Sequence, residues 1–241
     1  MKCFLTSSTS IPGTEELNPA NGLADRLRAS AAERREAVFI CSDPNSPERT
    51  DRFAQAVKAS LEAADITFSC FVVLDGRNRA QAAELVGGAD FIVLAGGHVP
   101  TQNRFFAQIG LKELLKAFDG VLVGISAGSM NCAELVYAQP ELEGEAMDPN
   151  YRRFLPGLGL TKKMLLPHYQ AMKDDVLDGL RVMEDIAYPD SLGREFFLLP
   201  DGSYLYIDDS GEEICGEAYR LADGKLQRQI HQEKTQRENK T

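Results

Sequence analysis

The sequence predicts an α/β fold in which a mostly parallel, doubly wound sheet carries helices on both faces and antiparallel strands follow near the C-terminus. Apolar runs of strand length alternate with amphipathic stretches of helix length through the first half of the chain. The apolar runs are continuous, which is typical of strands that are covered on both faces. Such βαβα alternation indicates a parallel sheet.

The elements of the first half follow from these runs. The predicted strands cover residues 2–5, 37–41, 67–74, 91–95 and 121–125. The predicted helices lie near residues 21–32, 47–64, 80–86, 103–118 and 127–134. The start of the second helix is the best defined, because Ser46 suits the N-cap and Pro47 suits the first helical position.

The second half of the chain is less regular. Residues 138–159 are rich in proline, glycine and acidic side chains and are predicted to form a long loop. Residues 194–221 are predicted to form two or three antiparallel strands. One group of apolar residues has the spacing of a single helical face: Val176, Leu180, Met183 and Ala187.

No repeat or linker divides the 241 residues, a length that one α/β domain can have. We expect residues 1–226 to form a single α/β domain. Residues 227–241 are almost wholly polar and are expected to be a fraying C-terminal tail.

The composition limits the class of protein. The formal net charge is −10, so the surface repels phosphate backbones and nucleic acid is not expected as a partner. The five cysteines include no CxxC pair, which argues against a disulfide framework or a zinc site and indicates a reduced, cytoplasmic compartment. No apolar run has the length of a signal core or a membrane span, so neither is expected.

The most informative segment is the glycine-rich turn at Ser126. It consists of an apolar strand, then Gly-x-Ser-x-Gly from Gly124 to Gly128, then a predicted helix, which is the arrangement of a nucleophile elbow. The helix N-terminus beside the hydroxyl favours developing negative charge. Ser126 is therefore the predicted nucleophile. The alternative is a plain strand–helix turn with an incidental serine.

A serine hydroxyl needs a neighbouring base, and the chain contains three histidines. In open α/β sheets, functional sites form beyond the carboxyl ends of the strands. His168 directly follows an apolar run and is the predicted general base. His98 also follows such a run and remains a rival, although a role in the wall of the substrate pocket is favoured for it. His231 lies in the polar tail.

The glycine pair that ends at Gly97 follows another predicted strand. The backbone N–H of Gly97, together with that of Ala127, would form an oxyanion hole. The alternative is that the two glycines only form a plain βα turn, which explains them nearly as well. The residues that follow the pair, His98, Gln102 and Asn103, are predicted to bind the substrate. This chemistry requires no metal and no organic cofactor.

The triad acid is the least defined member of the site. Asp201 is the best candidate, because it lies in a turn directly after an apolar run. The alternative is that this aspartate only stabilises the β-turn itself. The rival carboxylates lie in the long loop: Glu141, Glu143 and Asp148.

These residues together resemble the peptidase E (aspartyl dipeptidase) family of serine peptidases, which also includes cyanophycinases. The family's motifs are matched in order over about residues 1–208. They are the Gly-x-Ser-Ala-Gly elbow (124–128), a glycine run followed by a polar residue (96–98), Pro-His-aromatic (167–169) and Leu-Pro-Glu-Gly (199–202). The resemblance implies the fold of class I glutamine amidotransferases, and serine at the elbow argues against glutamine hydrolysis.

The chain departs from the family in two places. The acid motif carries aspartate where the family has glutamate. Members that cut after N-terminal aspartate carry Gly-x-x-Arg after the histidine, and residues 171–178 here contain no arginine. We therefore expect no strong preference for N-terminal aspartate, unless Lys173 or Arg181 substitutes for the missing arginine.

The function predicted from these features is hydrolysis of short peptides through an acyl-enzyme on Ser126. An esterase or amidase with the same triad is one alternative. A non-catalytic sensor or small-molecule-binding module on the same scaffold is another, because a fold does not fix a function.

Overall fold

The structure is a computed structural model that describes residues 1–32 and 35–229. Its strands are β1 (Lys2–Thr6), β2 (Glu36–Ile40), β3 (Cys70–Leu74), β4 (Phe91–Leu94), β5 (Val121–Ile125), β6 (Leu135–Tyr137), β7 (Phe154–Pro156), β8 (Met164–Leu166), β9 (Val176–Leu177), β10 (Leu180–Arg181), β11 (Glu195–Leu198), β12 (Tyr204–Asp208), β13 (Gly211–Cys215), β14 (Ala218–Ala222) and β15 (Lys225–Gln229). Its α-helices are α1 (Leu23–Ala31), α2 (Pro47–Ala63), α3 (Ala82–Gly88), α4 (Val99–Gln108), α5 (Leu111–Leu114), α6 (Ala127–Met130), α7 (Tyr169–Met172) and α8 (Tyr188–Asp190).

A seven-stranded sheet in the order β13-β12-β1-β5-β4-β2-β3 forms the centre of the molecule. The five strands from β1 to β3 in this order run parallel, and β12 and β13 continue the sheet in antiparallel fashion. The predicted mostly parallel α/β fold is therefore confirmed. Thr6 lies opposite Ile125 in the register of β1 and β5, so the segments that follow these two strands emerge side by side.

Helices cover both faces of this sheet. Successive strand residues point to opposite faces, and β1 accordingly sends Leu5 into one core and Phe4 into the other. The Leu5 core includes Phe105 of α4, whereas the Phe4 core includes Leu61 of α2. Because both faces are buried, the strands are continuous apolar runs in the sequence.

A second, four-stranded sheet in the order β15-β14-β11-β8 packs beside the first. Its strands β8 and β11 are parallel, with Leu166 opposite Leu198, and the segments after both strands lie next to each other. Tyr137 stacks on Phe196 at a centroid distance of 4.3 Å and anchors this sheet to β6. The strand β15 continues into the predicted tail as far as Gln229. Residues 230–241, which make up the rest of that predicted tail, lie outside the described part.

Several predicted elements differ from the structure. The helix expected at 127–134 is the four-residue α6. Residues 194–221, expected to form two or three antiparallel strands, form β11, β12, β13 and β14, which are divided between the two sheets. The helix expected at 103–118 begins at Val99 and is interrupted at Gly110, whose φ is +65°. The loop expected at 138–159 contains β7, which pairs with β6.

The helical face predicted from Val176 to Ala187 is wrong, because the chain forms the β9–β10 hairpin there, followed by a π-helical turn at Val182–Ala187. Asp178 and Gly179 both have positive φ, as the hairpin turn requires, and this Asp-Gly signal outweighs the apolar spacing. Across the described ranges, no helix combines the length and the apolar character needed to cross a membrane.

Candidate active site

Ser126 occupies a strained turn between β5 and α6. Its φ of 50° and ψ of −111° lie outside the regions that non-glycine residues ordinarily adopt. Strain of this kind persists only where the surroundings fix the backbone, and it is the mark of a nucleophile elbow. The turn presents the serine hydroxyl at the carboxyl edge of the parallel sheet.

The elbow depends on two glycines because neighbouring backbone approaches both of them closely. A Cβ on Gly124 would lie 2.9 Å from the Cα of Ser129, and a Cβ on Gly128 would lie 2.3 Å from the carbonyl oxygen of Leu94. Both contacts involve backbone, which cannot rotate away as a long side chain can. The Gly-x-Ser-x-Gly pattern is thus a packing requirement of this turn.

We expect Gly128→Ala to destabilise the protein by about 2–3 kcal/mol or more, because the added methyl group collides with the backbone of β4. Gly87→Ala is the matched control: a Cβ there meets no atom within 4 Å, and alanine at this helical position should stabilise by about 0.5–1 kcal/mol. Urea unfolding measures both. Equal stability of the two variants would contradict the packing argument.

His168 lies between Ser126 and Asp201. Its Nε2 is 2.9 Å from the Ser126 Oγ, and its Nδ1 is 2.8 Å from the Asp201 Oδ1. A carboxylate only accepts hydrogen bonds, so Nδ1 carries the proton and Nε2 is left to accept from the serine hydroxyl. The backbone of His168 has a φ of 57°, a second uncommon conformation at this site.

Ser7 and Gln170 both donate hydrogen bonds to the carboxylate of Asp201. Neither residue was predicted from the sequence. The Ser7 hydroxyl donates to the Asp201 Oδ1 at 2.7 Å and accepts from the His168 backbone N–H at 2.8 Å. Gln170 donates to the Asp201 Oδ2 at 2.6 Å and accepts from the Asp201 backbone N–H at 3.0 Å. Ser7 directly follows β1, so the strand-end rule that pointed to His168 could have found it.

These contacts keep Asp201 ionised. Burial of the carboxyl group opposes ionisation, but the hydrogen bonds from His168, Ser7 and Gln170 and the charge of His168 outweigh it, so the pKa of Asp201 is lowered from its ordinary value. An ionised Asp201 accepts a hydrogen bond from the Nδ1 of His168.

We expect Ser7→Ala to lower kcat about tenfold and to leave KM nearly unchanged, because a hydrogen bond to a charged group contributes about 1.5–3 kcal/mol. Ser7 is fully buried, and its hydroxyl bonds Asp201 and the backbone of His168, so we expect it to act by positioning these two residues. Steady-state kinetics with one dipeptide separates kcat from KM. A variant whose KM rises while kcat is retained would assign Ser7 to substrate binding instead of positioning.

The second glycine of the predicted oxyanion segment is shaped by a close neighbour. A Cβ on Gly97, whose φ is +151°, would lie 2.3 Å from the Ser42 Oγ, so only glycine fits. Within the described part of the chain, the N–H groups of Gly97 and Ala127 have no hydrogen-bond acceptor. Gly97 and Ser126 line one cavity of about 420 Å³, which is formed by the segments that follow β1, β2, β4 and β5 together with His168.

The structure brings the predicted substrate-binding residues to other places. Gln102 is fully buried, and its amide group bonds the Ala95 carbonyl and the Asn131 side chain. Asn103 bonds Asn131 and the Pro156 carbonyl. Neither lines the cavity beside Ser126, so their predicted role has no support from the geometry.

His98 caps the start of α4, where its Nδ1 lies 2.9 Å from the Thr101 hydroxyl. Its Nε2 lies 2.9 Å from a carboxylate oxygen of Glu145. Because Ser126 contacts His168, the rival position of His98 as general base is unsupported.

In the described part of the chain, the rival loop carboxylates take no part in the hydrogen-bond chain of Ser126, His168 and Asp201. Within the described residues, Glu141, Glu143 and Asp148 make no hydrogen bond to His168. Desolvation of the carboxyl group and the charge of Glu145 raise the pKa of Glu141 to about 7, against the opposing charge of His168. Glu141 is thus close enough to influence the site electrostatically.

A strained serine elbow with a histidine and a carboxylate in hydrogen-bond contact is the arrangement of a serine hydrolase. More narrowly, the chain belongs to peptidase family S51, since the model of that family matches residues 3–215. It is therefore a serine peptidase, and peptides are its class of substrate.

The fold also resembles a solved structure, that of a candidate peptidase E protein from Listeria monocytogenes EGD-e. The two superpose with a TM-score of 0.58 at 18% sequence identity, over 88% of this chain and 96% of that one. At this level of identity the likeness concerns the fold. It agrees with the family match, and the resemblance to peptidase E that the motifs indicated is confirmed. No protein of curated function matches the chain.

Proposed function

We propose that this peptidase hydrolyses short peptides through an acyl-enzyme on Ser126. The observation that carries the proposal is the hydrogen-bond chain from Ser126 through His168 to Asp201, with distances of 2.9 and 2.8 Å. His168 takes the hydroxyl proton as Ser126 attacks the peptide carbonyl, and it then gives that proton to the leaving amine. Water attacks the acyl-enzyme by the same route in reverse.

Asp201 holds His168 in the reactive tautomer and stabilises the imidazolium that forms during each attack. The N–H groups of Gly97 and Ala127 stabilise the negative oxygen of the tetrahedral intermediate. This assignment is supported by three observations: Ala127 directly follows Ser126 in the chain, Gly97 lines the same cavity as Ser126, and neither N–H has an acceptor within the described residues. No metal enters these steps.

The proposal of short substrates is supported by the cavity. Its volume of about 420 Å³ is at the small end of the range for ligand sites and suits one or two residues of a peptide. Hydroxyl groups and the rings of Phe39 and Phe53 line it, which gives both polar and apolar contacts.

A serine-directed fluorophosphonate probe and a dipeptide library test the proposal together. We expect the probe to label Ser126, as mapped by peptide mass spectrometry, and we expect turnover of free dipeptides. Labelling of a residue other than Ser126 would contradict the assignment of Ser126 as the nucleophile. Hydrolysis of simple esters without hydrolysis of any peptide would favour the esterase alternative.

A further inference from the structure

Arg49 lines the cavity that contains Ser126, at the first turn of α2. We propose that Arg49 binds a carboxylate group of the peptide substrate and thereby determines which short peptides are cleaved. This inference rests on the proposed role of Ser126. The residue comes from the segment after β2, far in sequence from residues 171–178, where the expected arginine is missing.

The side chain of Arg49 is available for a ligand. Within residues 1–32 and 35–229 it makes no ion pair and no hydrogen bond, and its residue is exposed. The two cations that the sequence offered instead are already engaged: Lys173 pairs with Asp174 at 3.1 Å, and Arg181 pairs with Asp185 through two nitrogens at 2.8 and 3.0 Å. Neither of them lines the cavity.

The charges around the cavity favour an anion near Arg49. Of the described residues that line it, Arg49 is the one permanent cation and Asp43 is the one carboxylate. Asp43 accepts hydrogen bonds from the Ser46 hydroxyl at 2.6 Å and from the Asn45 backbone N–H at 3.0 Å. The Ser46 bond comes first among the causes that lower the pKa of Asp43, and the charge of Arg49 adds to them. Asp43 is thus satisfied locally and leaves the Arg49 guanidinium free.

A guanidinium group suits this task because its N–H groups form a rigid fork that matches the two oxygens of a carboxylate. The N-terminal end of the 17-residue helix α2 carries a partial positive charge on the same side and adds to the attraction. A short peptide offers two such groups, its C-terminal carboxylate and an acidic side chain. Both groups are carboxylates, and peptides that lack one or the other show which of them Arg49 binds.

The experiment compares Arg49→Gln with the parent on matched peptides. Ala-Leu and its C-terminal amide report on the terminal carboxylate, and the amides of Asp-Leu and Asn-Leu report on the side chain. In the parent we expect a preference of about 10- to 100-fold in kcat/KM for the carboxylate member of one pair, as a charge-assisted bond provides. In Arg49→Gln that preference should fall to near one. Arg49→Lys should keep part of it.

Arg181→Gln is the control, since it removes an exposed arginine that does not line the cavity. It should keep the parent's preference. The inference is overturned if Arg49→Gln keeps that preference as well, or if the parent shows none. Fluorophosphonate labelling of Ser126 is measured in every variant, so a loss of the nucleophile's reactivity is distinguished from a loss of carboxylate binding.

Discussion

Ser126→Ala is expected to abolish fluorophosphonate labelling and to lower kcat about 10⁴- to 10⁶-fold on any peptide that the parent cleaves. In the proposed mechanism the hydroxyl is the attacking group, and no water molecule would take its place with the same alignment to His168. The residual rate would come from peptide binding and the oxyanion donors alone.

The fold of this variant should be unchanged. Alanine and serine tolerate the φ of 50° at position 126 about equally, because both carry a Cβ. Urea unfolding and circular dichroism of the variant should therefore match the parent. If a folded Ser126→Ala protein kept most of the hydrolytic activity, another residue would be the nucleophile.

Asp201→Asn is expected to lower kcat by about 10²- to 10⁴-fold with little change in KM. The amide has the shape of the carboxylate but no charge, so it stabilises the imidazolium form of His168 poorly. It also has only one accepting oxygen, whereas Ser7 and Gln170 donate to different oxygens of Asp201 in the structure. The amide cannot satisfy both donors and His168 at once.

Two variants serve as controls for this prediction. Asp201→Glu restores the residue of the family's motif and should retain activity if the backbone yields to one more methylene group. Glu141→Gln should act mainly on KM, because Glu141 lies near His168 but does not bond it. If Asp201→Asn stayed within about threefold of the parent while Glu141→Gln lost about 10³-fold in kcat, the triad acid would belong to the loop.

The parallel sheet, the elbow and the candidates for base and acid could all be predicted from the amino-acid sequence. Strands buried on both faces must be continuous apolar runs, and the elbow must carry glycine where backbone approaches within 3 Å. These constraints act on residues that are close together in the chain, so they can be recognised in the amino-acid sequence. The rule that sites lie beyond strand ends then selected Ser126, His168 and Asp201.

How those residues meet depends on tertiary packing. Ser126 follows a strand of the seven-stranded sheet, whereas His168 and Asp201 follow strands of the four-stranded sheet. The packing of the two sheets brings them into contact. That packing also brings Asp201, and none of the three loop carboxylates, into hydrogen-bond contact with His168 within the described residues. It adds Ser7 from the end of β1 and places Arg49 at the cavity. Contacts between residues far apart in the chain depend on how whole sheets pack, and no local sequence pattern encodes that.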